Sequence, residues 1–140
     1  MDVACGSSNL GFEIVRRAFD KGIFPDTLST DISGFYNQRK FVLTRMMSKF
    51  LALGLSLEKL IELTTINPAR ALGEETRRGS LKVGMPADIA ILELVEGDYT
   101  FVDSRKATIK GRQVLVPSLT IKSGVEIAPK PPDDMGNTVI

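Results

Sequence analysis

The chain has 140 residues, of which 43% are hydrophobic, 25% charged and 6% aromatic, the balance of an ordinary globular protein with one compact core as its default. Eighteen basic against seventeen acidic side chains leave a formal charge of +1, and no basic stripe is interleaved with aromatics, which argues against nucleic acid as a partner. A single cysteine, Cys5, excludes an internal disulfide, and the lack of any histidine excludes a complete Ser-His-Asp or Cys-His site and removes the commonest zinc ligand.

The first residues, 1–4, read as the end of a buried strand running into the loop Cys5-Gly6-Ser7-Ser8-Asn9. From Gly11 onward, Phe12, Val15, Ala18 and Phe19 recur at helical spacing, with Arg16, Arg17 and Asp20 opposite and Gly22 as a stop. Residues 27–32 are compact and rich in β-branched side chains, which predicts a second strand ending near Asp31. Val42, Leu43, Met46, Phe50 and Leu53 mark a helix closed by Gly54, and Ser56 opens another through Leu57, Leu60, Ile61 and Leu63. Pro68 ends or restarts that pattern, with Asn67 as the expected cap of a short turn that Gly73 closes. Strand, helix, strand, helix, helix is α/β grammar with a parallel sheet.

Near Gly79 the grammar changes. Gly79, Gly84 and Pro86 punctuate a turn-rich passage, after which residues 88–94, 99–103, 107–109 and 113–116 read as short strands. The closing stretch with Pro129, Pro131, Pro132, Asp133 and Asp134 has too few apolar side chains to pack and reads as an irregular tail. The longest apolar run, residues 50–53, falls far short of the ~20 residues that a bilayer span needs, so a cytoplasmic protein without a membrane partner is expected.

Three motifs in order carry a resemblance: Pro25-Asp26-Thr27-Leu28-Ser29-Thr30-Asp31, then Asn67-Pro68-Ala69-Arg70-Ala71-Leu72-Gly73, then Gly79-Ser80-Leu81-Lys82-Val83-Gly84-Met85-Pro86-Ala87-Asp88-Ile89. Together they resemble the C-terminal part of an amidohydrolase-superfamily metal-dependent hydrolase, in its dihydroorotase-like deacetylase branch. Asp103-Ser104-Arg105 and Gly111-Arg112-Gln113 also have counterparts in that branch. The resemblance implies an α/β chain: residues 1–75 as the last βα units of a TIM-type barrel, 76–123 as a small flanking β-sandwich, and 124–140 as the tail. A complete barrel takes ~250 residues, so the first six βα units, with the family's metal-binding histidines, are expected to lie outside this sequence.

On this resemblance Asp31 is the candidate catalytic residue and metal ligand. A carboxylate at the C-terminal end of a barrel strand ligates a metal weakly, takes a proton from the attacking water and returns it to the departing nitrogen. From the residues alone, Asp31 also reads as a turn or helix cap. Gly6 and Ser7 are candidates for a substrate-pocket wall after the first strand, and Ser33 stands two positions after Asp31, where the family often has histidine. Val3-Ala4-Cys5-Gly6 replaces the branch's Gly-His-Gly-like turn. Cys5 reads as a small buried thiol rather than a nucleophile, since no base is available to it. The Gly6 to Gly11 loop is no phosphate cradle, because Phe12 and Glu13 stand where Lys and Ser or Thr are required. Arg70 is expected in an ion pair or on a carbonyl, and Asp88 in a turn, accepting backbone N–H bonds. Phe35, Tyr36 and Asn37 are substrate-contact or packing residues.

The resulting expectation is the C-terminal fragment of an enzyme that hydrolyses a cyclic amide or an N-acyl C–N bond of a small molecule. It would use zinc or a similar divalent metal in the complete enzyme, and would be inactive alone because the histidine ligands are absent. The alternative is a non-catalytic interaction module. Two barrel strands with unpaired edges and an apolar face would then self-associate as a homo-oligomer or dock on a chain holding the missing barrel portion.

Overall fold

The structure is a computed structural model and describes residues 1–5, 9–31 and 43–127. Two short strands, β1 (Asp2–Ala4) and β2 (Thr27–Ser29), pair in parallel, with Asp2 opposite Thr27, Val3 opposite Leu28 and Ala4 opposite Ser29. A parallel pair requires a crossover, and helix α1 (Phe12–Asp20) supplies it. Phe12 is buried, and Val15 and Phe19 pack against the same core. The helix closes as Gly22 N–H bonds the Phe19 carbonyl at 2.8 Å and Ile23 N–H reaches the Ala18 carbonyl at 2.9 Å, which satisfies two of its terminal acceptors.

Helices α2 (Leu43–Ala52), α3 (Leu57–Thr64) and α4 (Ile66–Ala71) follow. Ser56 caps α3 as expected, its Oγ accepting from Lys59 N–H at 3.2 Å. Pro68 restarts the helix from within its first turn, where a missing N–H leaves no bond unmade. The cap position belongs to Thr65 and not to Asn67. Asn67 turns the other way: its Nδ2 donates to the Asp26 carbonyl at 2.9 Å and ties α4 to the entry of β2. Arg70, expected on a carboxylate or a carbonyl, donates to Asn67 Oδ1 at 3.4 Å.

The chain leaves α4 by passing directly against it. Gly79 has φ +88, and a Cβ there would stand 2.8 Å from Ala69 Cβ and 3.0 Å from both Ile66 Cα and the Thr65 carbonyl oxygen. Strained backbone and overlap act together, so Gly79→Ala should lower stability by about 2–4 kcal/mol, read as a reduced denaturation midpoint at unchanged slope.

Beyond this point the four short strands of the sequence reading merge into two long ones, β3 (Ile89–Val102) and β4 (Thr108–Lys122), with a short β5 (Val125–Ile127). They form one antiparallel sheet in the order β3-β4-β5. Gly97 and Asp98 look like a turn but lie opposite Arg112 alone, between the pairs Glu96–Gln113 and Tyr99–Gly111, as a bulge. Asp98 forms an ion pair with Arg112 there. Pro117 is accommodated at the second register shift, beside the extra residue Ser118. The sheet also continues past residue 123, where the tail was expected, because Val125 to Ile127 pair with Lys122 to Thr120. Asp88 accepts a backbone N–H, but from a turn other than its own: it pairs with Lys122 and accepts from Ser123 N–H at 2.8 Å beside the β4–β5 turn, and these contacts hold its carboxyl below the usual carboxylate range.

The core runs through both halves. Met46, Met47 and Phe50 of α2, Leu60 and Leu63 of α3 and Leu28 of β2 share one cluster with Phe101, Ile109 and Leu115 of the sheet. Gly111 permits the close approach, since a Cβ there would lie 2.6 Å from the Phe101 ring and 3.1 Å from Ala52 Cβ. At the centre of the contact, the fully buried Ser48 donates to the Thr44 carbonyl at 2.6 Å and accepts from Leu115 N–H at 2.9 Å. One hydroxyl thus takes the place of a strand neighbour, which among the described residues Leu115 lacks on that side. Ser48→Ala should orphan this buried N–H and cost about 1–3 kcal/mol, measurable by chemical denaturation.

Candidate functional site

The two faces of the β1–β2 pair differ in chemistry. Val3, Cys5 and Leu28 lie on the helix-covered side, within or against the core. On the other face, Asp2 accepts from Thr27 Oγ1 at 2.7 Å and from Ser29 Oγ at 2.6 Å. Among the described residues this second face is polar, where the interaction-module reading expects an apolar one, and its side chains are exposed or half-buried.

Asp31 lies two residues beyond the end of β2, exposed, in a left-handed backbone conformation at φ 50. Aspartate tolerates that region better than most residues. Its Oδ2 accepts from Asn9 Nδ2 at 2.9 Å. Asn9 belongs to the connection between β1 and α1, so this bond joins the C-terminal ends of the two strands. Sequence reading passed over Asn9, since an amide in a polar loop carries no periodic or spacing signal. Of the other candidates, Gly6, Ser7 and Ser33 lie outside the described residues, as do Phe35, Tyr36 and Asn37.

Cys5 extends the β1–β2 pairing, its N–H bonding the Ser29 carbonyl at 2.9 Å, while its thiol is buried. Burial pushes the thiol up to about 12; Lys49 opposes the shift, and Asp2 and Asp31 add to it. Thiolate is then scarce at neutral pH, which fits a packing role. Alkylation of Cys5 by iodoacetamide at pH 8 should be at least about tenfold slower in the native protein than in denaturant, followed by mass spectrometry. Lys49 is itself half-buried; it is held below its ordinary value by desolvation, and its Nζ donates to the Val102 carbonyl at 2.8 Å.

Asp103 is the second organised carboxylate. At 9% exposure, it accepts from Arg105 N–H at 2.8 Å and Ala107 N–H at 2.9 Å through Oδ1, and from Phe12 N–H at 2.9 Å through Oδ2. Desolvation would raise its carboxyl, but the bonds from Phe12, Ala107 and Arg105 outweigh it and hold the group below the usual range. Helix α1 has no side-chain cap from its own cap residue, Gly11. Asp103 fills that place from the far side of the sequence.

A catalytic zinc centre takes three protein ligands. Among the described residues no group of three or more His, Cys, Asp or Glu side chains converges, and the strand ends contribute the Asp31 carboxylate. These residues do not fit a metal by themselves.

The family model described as "Amidohydrolase family" matches residues 27–128. A deacetylase of Brucella anthropi is 32% identical over 105 residues, which is 74% of this chain and 26% of that protein. A crystal structure of an adenine deaminase superposes with a TM-score of 0.84 at 26% identity, over 91% of this chain and 35% of that one. A dihydroorotase structure superposes with a TM-score of 0.79 at 27% identity, over 91% and 34%. The chain thus spans about a quarter to a third of the length of these proteins.

Proposed function

The chain belongs to the amidohydrolase family, and from that premise we propose that it supplies the last two βα units of a (β/α)₈ hydrolase barrel. In this reading the β3–β5 sheet forms part of a small flanking β-sandwich. The division between the two falls near residue 75. The reaction is hydrolysis of a cyclic amide or N-acyl C–N bond in a small molecule; the deacetylase and dihydroorotase relatives support that class, and the adenine deaminase supports hydrolysis at a C–N bond more broadly.

The observation that carries the reading is Asp31: an exposed carboxylate at the C-terminal end of a parallel strand in a β-helix-β unit, anchored through one oxygen by Asn9. Barrel enzymes gather their chemistry at that end of the strands. Asp31 would take a proton from the attacking water and deliver it to the leaving nitrogen. Gly6, Ser7 and Ser33 would line the pocket. Zinc or a similar divalent ion would depend on donors beyond the described residues, with Asp31 as one of its ligands. A cytoplasmic setting suits the unpaired thiol, and no helix among the described residues is long and apolar enough to cross a membrane.

The test compares the 140-residue chain with a full-length polypeptide, meaning one in which the first six βα units precede it in sequence. After dialysis the chain should retain no stoichiometric zinc and should leave N-acetyl amino acids and dihydropyrimidines intact, while the full-length polypeptide turns over one of these classes. Zinc retention with turnover by the 140-residue chain would overturn the fragment reading. A second reading, a docking module, draws on the two-stranded parallel sheet, since among the described residues neither β1 nor β2 has a second strand neighbour. Parallel sheets are ordinarily covered and continued. Gel filtration of the 140-residue chain tests it: concentration-dependent self-association favours docking between copies, and a strict, well-folded monomer disfavours it.

A further inference from the structure

The hairpin joining β3 to β4 does more than reverse the chain. Its Ser104 N–H donates to the Leu10 carbonyl at 2.9 Å, and its Ser104 Oγ donates to the same carbonyl at 2.6 Å. One residue earlier, the Asp103 carboxylate takes the N–H of Phe12. The segment 10–12 is therefore gripped at both ends, by its first carbonyl and its last N–H, and Leu10 and Phe12 are each 4% exposed. The gripping turn is itself braced: Asp103 N–H bonds the Ala107 carbonyl at 3.0 Å, and Asp103 Oδ1 takes two further N–H groups of the turn. Asn9 precedes this gripped segment by a single peptide bond, and Asn9 is the residue that holds Asp31.

We infer that the Asp103–Ser104 turn is a clamp on residues 10–12 that fixes Asn9 against Asp31, so that Ser104 and Asn9 are positioning residues for the carboxylate. The inference rests on the reading of Asp31 as the functional group. It assigns a purpose to the β3–β4 hairpin: it sets the placement of a group that belongs to the barrel half. Placement matters because a displacement of about 1 Å at a reacting group can cost about a hundredfold in rate.

The experiment uses the full-length polypeptide labelled with ¹⁵N, in which the side-chain NH₂ signals of Asn9 are identified by their loss in Asn9→Ala. In Ser104→Ala these signals should move toward those of a free amide, and their exchange with water should quicken about fivefold or more, while the amides of Leu60 and Leu63 in α3 keep their rates. Ser104→Thr, which keeps the hydroxyl, should restore the native signals. Unchanged Asn9 signals in Ser104→Ala would overturn the clamp and leave the functional reading intact. Equal acceleration in α3 would also overturn it, because Ser104 would then contribute only general stability. Conversely, full activity in Asp31→Asn would remove the functional reading, whatever the Asn9 signals show.

Discussion

On the proposed function, Asp31→Asn in the full-length polypeptide should lower hydrolytic turnover by about 10²–10⁴-fold, the range that a positioned acid–base group supplies. The amide preserves size and can still accept a hydrogen bond from Asn9, so folding and the link between the strand ends survive. What disappears is the capacity to hold a proton between water and leaving nitrogen. The loss should therefore fall on kcat, with KM little changed. Asn9→Ala supplies the graded comparison, because it leaves the carboxylate in place but unanchored, and its loss should be smaller. Steady-state kinetics on both variants, with thermal unfolding as the folding control, checks the expectation. A variant at position 31 with native kcat would show that the residue is a turn former and nothing more.

Asp103→Ala should lower stability by about 2–4 kcal/mol, because three backbone N–H groups lose their acceptor and α1 loses its cap. The effect depends on pH in a definite sense. The folded carboxyl lies below its ordinary value because its three backbone donors outweigh desolvation. The unfolded chain therefore binds more protons across that interval, and the contribution is fully present above the unfolded value of about 3.9. It is lost as pH falls through the folded value. Urea denaturation of the native chain between pH 6 and pH 3 should show stability declining in acid, and in Asp103→Asn that decline should be shallower. Equal slopes in the two proteins would assign acid sensitivity to other carboxylates.

Much of the helical half was legible because its punctuation is local. Ser56, Gly54 and Gly22 mark ends by chemistry that acts within one turn, and the apolar spacing of Met46, Phe50, Leu60 and Leu63 names the buried faces. The sheet was less legible for an equally physical reason. Gly97-Asp98 and Pro117 are turn signals in isolation, yet a partner strand of matching register absorbs them as irregularities. Asp31 stood out by its place at a strand end and by the motif around it. Asn9 did not, since it acts through a partner 22 positions along the chain, and Ser104, although part of a quoted family counterpart, acts through Leu10, 94 positions away. Asp103 was visible as a family counterpart, but its bond to Phe12 spans 91 positions. No periodicity reports a contact of that kind.

The cluster shared by α2, α3 and the sheet bears on how the polypeptide is made. Phe101, Ile109 and Leu115 emerge from the ribosome long after Met46 and Phe50, so the helices have no finished surface to settle on while the later hairpin is still being synthesised. Nascent chains stalled before residue 101 should remain sensitive to protease, and protection should arrive in one step once the whole hairpin is clear of the exit tunnel.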